Sequence, residues 1–247
     1  MQSWRFLQHG PQEAATNMAI DESLLLTGQP TVRLYTWQPS ALSIGYFQGI
    51  HEEVDVTVCE EHGVDIVRRI SGGGAVYHDA KGEITYSLVV PRNMLPSNVQ
   101  ESCAVICSAL VSALQKLGLD ATFSPLNDVV VNGKKISGSA QTRGHGSVLQ
   151  HGTLLIDLDV DLMFSLLRVS QIKLADKAIK EASERVTSLR KELRKPIRHE
   201  IICAALQQGF AETFNVELTD GSLTDKENEN VKALRIKYAS RDWTFQR

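Results

Sequence analysis

The chain has 247 residues, 43% of them hydrophobic and 22% charged, with a formal charge of −3. That is room for one large domain with a proper core, and the balance is that of an ordinary soluble protein. The small negative charge supplies no global basic field for nucleic acid or an anionic membrane, and no apolar run nears the ~20 residues of a membrane span. The opening residues, MQSWRFLQHG, hold no apolar signal core. The expected compartment is therefore a reducing cytoplasm, with Cys59, Cys103, Cys107 and Cys203 as packed thiols.

Residues 16–26, TNMAIDESLLL, read as a helix with Thr16 or Asn17 as N-cap. Gly28 and Pro30 close it. Strand-like runs follow at 31–37 (TVRLYTW), 41–48 (ALSIGYFQ), 64–70 (VDIVRRI) and 83–91 (EITYSLVVP). Several alternate apolar and polar residues, the pattern of a sheet with one face covered. A long amphipathic helix spans 99–117 and stops at Gly118. In 128–141, DVVVNGKKISGSAQ, the pair Asn132-Gly133 predicts a hairpin, since both residues tolerate positive φ. A strand over 147–158 comes next. From Asp161 the chain turns mostly helical, with helices expected at 161–169, 182–193, 200–214 and 223–240. The charge clusters near 173–177 and 191–195 read as solvated helix faces. Strands cluster in sequence without βα alternation. The expected class is α+β: a mixed, largely antiparallel sheet packed by helices, one domain over 1–247, with a mostly helical part from about residue 160.

Two stretches carry chemistry. The first is RRISGGGAVYHD (68–79), between two strand-like runs. Three consecutive glycines are costly to order, and the spacing matches neither the dinucleotide fingerprint nor the P-loop. Such a loop lets backbone N–H groups approach an anion, and Arg68 or Arg69 can add charge-assisted bonds; on a strand only one of them faces the site. The bland alternative is a bulge or a tight sheet corner. His78 closes the loop, either as a functional group or as a tie for the turn.

The second is LNDVVVNGKKISGSA (126–140). The hairpin sets Lys134 and Lys135 on opposite strand faces. One points to solvent; the other points under the sheet's cover, where it would neutralise charge developing in acyl transfer. Two solvated lysines are the alternative. Ser137, Gly138, Ser139 and Ala140 are small, leaving room for a thin ligand or for a closely packed helix. His151, in QHGT (150–153), reads more readily as a hydrogen-bonded core histidine than as a catalyst. No zinc spacing, nucleophile elbow or paired carboxylates stand out. Aromatic and basic residues do not interleave as in a single-strand nucleic-acid groove.

Taken together, NMAIDESLL (17–25), RLYTWQPSALSIGYFQ (33–48), RRISGGGAVYHD (68–79), NDVVVNGKKISGSAQ (127–141) and QHGTLL (150–155) resemble the lipoate–protein ligase family, within the wider group of lipoate/octanoate transferases and biotin ligases. The resemblance runs over nearly the whole chain and implies the biotin/lipoyl ligase-type fold. It implies an ATP-dependent lipoate–protein ligase that forms lipoyl-adenylate and passes the lipoyl group to a lysine of a lipoyl carrier domain. By that resemblance Arg69, Gly73, Gly74, Ala75, Val76, Tyr77, His78, Asn127 and Asp128 bind ATP and the adenylate, and Asp128 lies by Mg²⁺. Lys135 is the catalytic lysine, contacting phosphate and acyl carbonyl. Lipoate lies against Lys135, Ser137, Gly138, Ser139, Ala140, His151 and Gly152.

The implied partners are the glycine cleavage H protein or the E2 of a 2-oxoacid dehydrogenase, without nucleic acid or membrane. One-chain ligases of this family often carry an extra C-terminal domain. None follows here, which implies a separate small accessory subunit or the transfer step alone. Two other readings stand beside the ligase: an octanoyltransferase drawing on acyl carrier protein, and a non-catalytic protein that binds lipoate or lipoyl domains. The octanoyltransferases that resemble this chain use a cysteine in a longer loop before the hairpin. The loop DATFSPLNDVV has none, so the ligase is the expected activity.

Overall fold

The computed structural model describes residues 1–168 and 184–247. In chain order these form β1 (Gln2–Gln12), α1 (Ala14–Thr27), β2 (Thr31–Trp37), β3 (Ala41–Ile44), α2 (Ile50–Glu53), α3 (Val56–Glu61), β4 (Asp65–Arg68), β5 (Val76–His78) and β6 (Glu83–Pro91). Then come α4 (Val99–Lys116), β7 (Ala121–Ser124), β8 (Asp128–Val131), β9 (Lys134–Gly144), β10 (Ser147–Leu155), α5 (Val160–Ser165), α6 (Leu189–Leu193), α7 (His199–Phe214), β11 (Val216–Asp220), α8 (Asp225–Ala239) and α9 (Arg241–Thr244).

The large sheet has the order β11-β1-β2-β6-β10-β9-β8-β7, and a small sheet has the order β4-β3-β5. Pairing is antiparallel from β2 through β7 and parallel at the β11-β1-β2 edge. The class is α+β, as expected. The strand β1 fell in no sequence-predicted element, because WRFLQHGPQ alternates poorly and carries a proline.

The expectation of one covered sheet face is corrected: helices lie on both. Ile84, Tyr86, Leu88 and Val90 of β6 face α4 and α7, joining Ile106, Leu110, Leu206 and Phe210 in the main core. Each such aliphatic side chain contributes roughly 1.5–3 kcal/mol on burial. Val89 and Leu149 face α1 instead. The polar half of the alternation, Thr85, Ser87, His151 and Thr153, is buried on that second side. Those residues also sit opposite one another across β6 and β10: His151 pairs with Ser87, and Thr153 with Thr85.

Local chemistry sets the ends. Asn98 caps α4 by accepting from the N–H groups of Gln100 and Glu101. Thr224 and Glu227 form a reciprocal capping box on α8, and Glu227 also pairs with Arg5 of β1 at 2.6 Å. The run 41–48 stays a strand only to Ile44, because Arg68 gathers the carbonyls of Gly45, Tyr46 and Gln48 into a turn. The run 147–158 ends at Leu155, where the N–H groups of Ile156 and Asp157 both turn to the Gly82 carbonyl. The helix expected over 161–169 closes at Ser165, and the one expected over 182–193 lies partly outside the described residues; its described part is helical at Glu184 and Arg185, breaks at Val186, and is helical again from Leu189. The cluster near 173–177 also lies outside them.

Candidate active site

A cavity of about 210 Å³ opens where the small sheet meets the α1-facing side of β6, β9 and β10. Its walls come from distant parts of the chain. Met18 enters from α1, and Tyr35 and Trp37 from β2. The glycine loop between β4 and β5 brings Gly73 and Gly74, and leads on to Ala75, Val76 and His78. The strand β9 brings Lys135, Gly138, Ser139 and Ala140; β10 brings His151, Gly152 and Thr153.

Lys135 and Lys134 part company as their alternation requires. Lys134 is exposed, whereas Lys135 is partly covered and lines the cavity. A register shift between Val129 and Val130 of β8 marks a bulge opposite Ile136. Lys135 Nζ stands 2.7 Å from Asp128 Oδ1, a charge contact whose angles fall outside a hydrogen bond. Gly138 makes that pose possible: a Cβ there would come within 2.6 Å of Lys135 Cε. Asn127 is stitched to the same strand, donating from its amide to the Ser139 carbonyl and accepting from the Ser139 N–H at 3.0 Å.

Two buried relays end at the cavity. Glu83 accepts from His78 Nδ1 at 2.8 Å, so His78 Nε2 is free to accept from Ser43 Oγ, also at 2.8 Å. Trp37 stacks on the His78 ring at a centroid distance of 4.0 Å. In parallel, Asp21 accepts from His151 Nδ1 at 3.0 Å, and His151 Nε2 meets Ser71 Oγ at 2.6 Å. Asp21 also accepts from Arg33, Tyr35 and Ser87. Burial alone would raise the Asp21 carboxyl; His151, Arg33 and Ser87 together hold it below the ordinary carboxylate value.

Arg69 ties the relays together. Its Nε donates to Ser71 Oγ, Nη1 to Ser43 Oγ and the Ser43 carbonyl, and Nη2 to the carbonyls of Gly72 and Gly74. Every N–H of the guanidinium is engaged. Burial without a carboxylate partner pushes it down to about 10. Gly73, at φ 94°, closes the loop over that group; a Cβ on it would stand 3.0 Å from Arg69 Nη2. The N–H groups of Gly73 and Gly74 find no acceptor among the described residues.

The structure thus brings together most of the residues singled out from sequence. Tyr77 and Ser137 are the exceptions: both are buried away from the cavity, and Tyr77 packs with Leu42 and Ile44. Asp128 meets the cavity only through Lys135. Arg69 reaches the wall, but its donors are spent on the protein, so it offers none to a phosphate. Among the described residues no three His, Cys, Asp or Glu side chains gather as a metal site, and Asp128 has Lys135 rather than a second carboxylate beside it. Sequence reasoning gave no role to Met18, Asp21, Ser43, Glu83 or Thr85. The stretches NMAIDESLL and ALSIGYFQ contain three of them, but neither has a spacing that announces a relay.

A family profile described as the lipoyl protein ligase A/B catalytic domain matches residues 13–211. The chain belongs to that family. An octanoyltransferase, LipM, of Kyrpidia tusciae is 39% identical over 276 residues, spanning 100% of both chains. A second LipM, of Brevibacillus brevis, is 36% identical over 278 residues with the same full coverage. Among solved structures, a bipartite lipoate protein ligase from Thermoplasma acidophilum superposes with a TM-score of 0.92 at 30% identity, covering 99% of this chain and 97% of its own. The chain is accordingly an enzyme of the lipoyl ligase and octanoyltransferase family, with the ligase-type α+β fold. Enzyme membership displaces the reading as a silent binding protein. The expectation of an ATP-dependent ligase is overturned: the full-length curated relatives are named octanoyltransferases, and the spent Arg69 donors agree with them. No helix of the described residues is long and apolar enough to cross a membrane.

Proposed function

We propose that this chain moves an octanoyl group from a carrier thioester to the lysine of a lipoyl domain. The observation that carries the reading is Lys135, held at the wall of a cavity whose apolar lining includes Met18, Trp37 and Ala140. The eight-carbon chain lies against those apolar groups, and each buried methylene contributes about 0.8 kcal/mol. The thioester carbonyl faces Lys135, whose ammonium, with the free N–H groups of Gly73 and Gly74, stabilises the oxyanion that forms when the carbonyl is attacked. One such donor is commonly worth about 2.7–4 kcal/mol in the transition state. Asn127, Ser139 and Gly152 shape the strand surface beneath the acyl chain.

Two supports stand behind the lipoyl acceptor: the names of the relatives and the E2 lipoyl domain that accompanies the Thermoplasma acidophilum ligase. An E2 domain and a glycine cleavage H protein both offer the required lysine. Transfer from a thioester needs no adenylation step, so this reading requires no accessory subunit. The test is intact mass spectrometry of an apo lipoyl domain incubated with the protein and octanoyl-acyl carrier protein. Gain of one octanoyl group is expected. A lipoyl domain left unmodified by octanoyl-acyl carrier protein would overturn the reading.

A further inference from the structure

The lining residues that meet solvent mark the mouth of the cavity. Gly73 and Gly74 of the glycine loop are exposed, and Asn127 and Lys135 are partly so. Beside each of these two segments stands a large apolar side chain that belongs to no apolar cluster among the described residues. Of the large apolar side chains there, only Met1 and Ile236 are more exposed than these two.

The first is Phe47, 72% exposed, in the turn that follows β3. Gly45 of that turn lies against the Gly73 carbonyl too closely for any Cβ, and a Cβ on Gly72 would stand 3.9 Å from the Phe47 ring. The ring therefore sits on the solvent side of the glycine loop. Tyr46 meets it edge-on at a centroid distance of 5.0 Å, and the Arg247 guanidinium lies 5.6 Å from its centre. Arg247 is exposed and has no ion pair among the described residues.

The second is Leu126, 73% exposed, in the turn between β7 and β8 and next to Asn127. Its φ is 91°, a region that glycine takes freely and leucine only under strain. A strained, exposed leucine gains nothing from burial within this chain, so folding by itself favours glycine at 126. Strain of this kind is retained where function asks for it.

Reach decides what covers these two side chains. The octanoyl donor, an acyl carrier protein, holds its thioester on a long flexible prosthetic arm, so its protein surface can stay clear of the mouth. The acceptor lysine has only its own four-carbon stem. To bring its nitrogen to a carbonyl beside Lys135, the backbone on either side of that lysine must lie at the mouth, against whatever stands there.

We propose that Phe47 and Leu126 form the docking surface for the lipoyl domain, gripping the segment that carries its acceptor lysine, with a carboxylate of the domain beside Arg247. This rests on the octanoyl-transfer reading. A few aromatic and apolar anchors carry most of the binding energy of such a contact.

The test measures initial rates by intact mass spectrometry, with octanoyl-acyl carrier protein as donor and an apo lipoyl domain as acceptor, each varied while the other is held high. Phe47→Ser, Leu126→Gly and Arg247→Glu are compared with the unsubstituted protein. In each variant the KM for the lipoyl domain rises roughly five- to thirtyfold, while the KM for octanoyl-acyl carrier protein stays where it was. Leu126→Gly also keeps or raises the urea midpoint, because glycine fits that φ without strain.

An unmoved KM for the lipoyl domain in any of the three variants would overturn the inference. So would an equal rise in the KM for octanoyl-acyl carrier protein, or a fall in the Leu126→Gly midpoint, which would assign that leucine to folding. All three side chains are exposed, and if one variant fails to fold the other two decide. If the unsubstituted protein passes no octanoyl to the lipoyl domain, the transferase reading falls and this inference with it. If it does and the KM values do not move, the inference alone falls.

Discussion

Gly138 lies directly beneath the side chain of Lys135: a Cβ built on it would stand 2.6 Å from Lys135 Cε and 2.7 Å from Nζ. The glycine is therefore part of how the lysine is aimed. Gly138→Ala forces Lys135 off Asp128 and away from the carbonyl it would face. The expected result is a folded protein whose transfer rate falls about 10²–10³-fold, the cost of one misplaced oxyanion donor. Circular dichroism separates this from unfolding, and Lys134→Ala, on the solvent side of the same hairpin, leaves the rate unchanged.

Arg69 acts on the loop rather than on a phosphate. Arg69→Lys keeps the charge but supplies one compact donor group for five contacts. Two buried serine hydroxyls, the Ser43 carbonyl of β3 and two loop carbonyls cannot all be served, so stability falls by roughly 2–4 kcal/mol, measured as a shift in the urea midpoint. A guanidinium that served only an anionic ligand would leave the midpoint of the ligand-free protein where it was.

Asp21 is the hub for Arg33, Tyr35, Ser87 and His151. Asp21→Asn leaves the buried Arg33 without its carboxylate and confronts one donor with an amide N–H. Breaking a buried pair from one side costs about 3–5 kcal/mol. Thermal unfolding of the variant reads the loss directly, and an unchanged melting temperature would contradict the assignment.

Acid sensitivity should begin with His9. Burial, with Arg33 beside it, pushes His9 from 6.5 down to about 4, and His9 Nδ1 accepts from Arg33 Nε at 2.9 Å. The unfolded chain therefore binds the proton first as pH falls. Stability is complete above about pH 6.5 and is lost progressively toward pH 4. Urea midpoints across that window test this, and His9→Gln flattens the slope.

Local chemistry decided much of this protein before any packing. Asn132-Gly133 specifies the hairpin, and with it the opposite fates of Lys134 and Lys135. The spacing of apolar residues over 99–117 sets α4, and Gly118, at φ 85°, ends it. The residues over 68–79 and 127–141 carry the family likeness. Tertiary structure alone decided the rest, because contacts between distant segments leave no periodic trace. Ser43, His78 and Glu83 belong to three strands of two sheets; Asp21 reaches His151 from a helix 130 residues away. Arg69 looked like an anion site because sequence shows the charge but not the carbonyls that exhaust it. The polar half of the β6 and β10 alternation read as a wet face, yet α1 and the small sheet cover it. That cover turns a water-facing pattern into the wall of the candidate cavity.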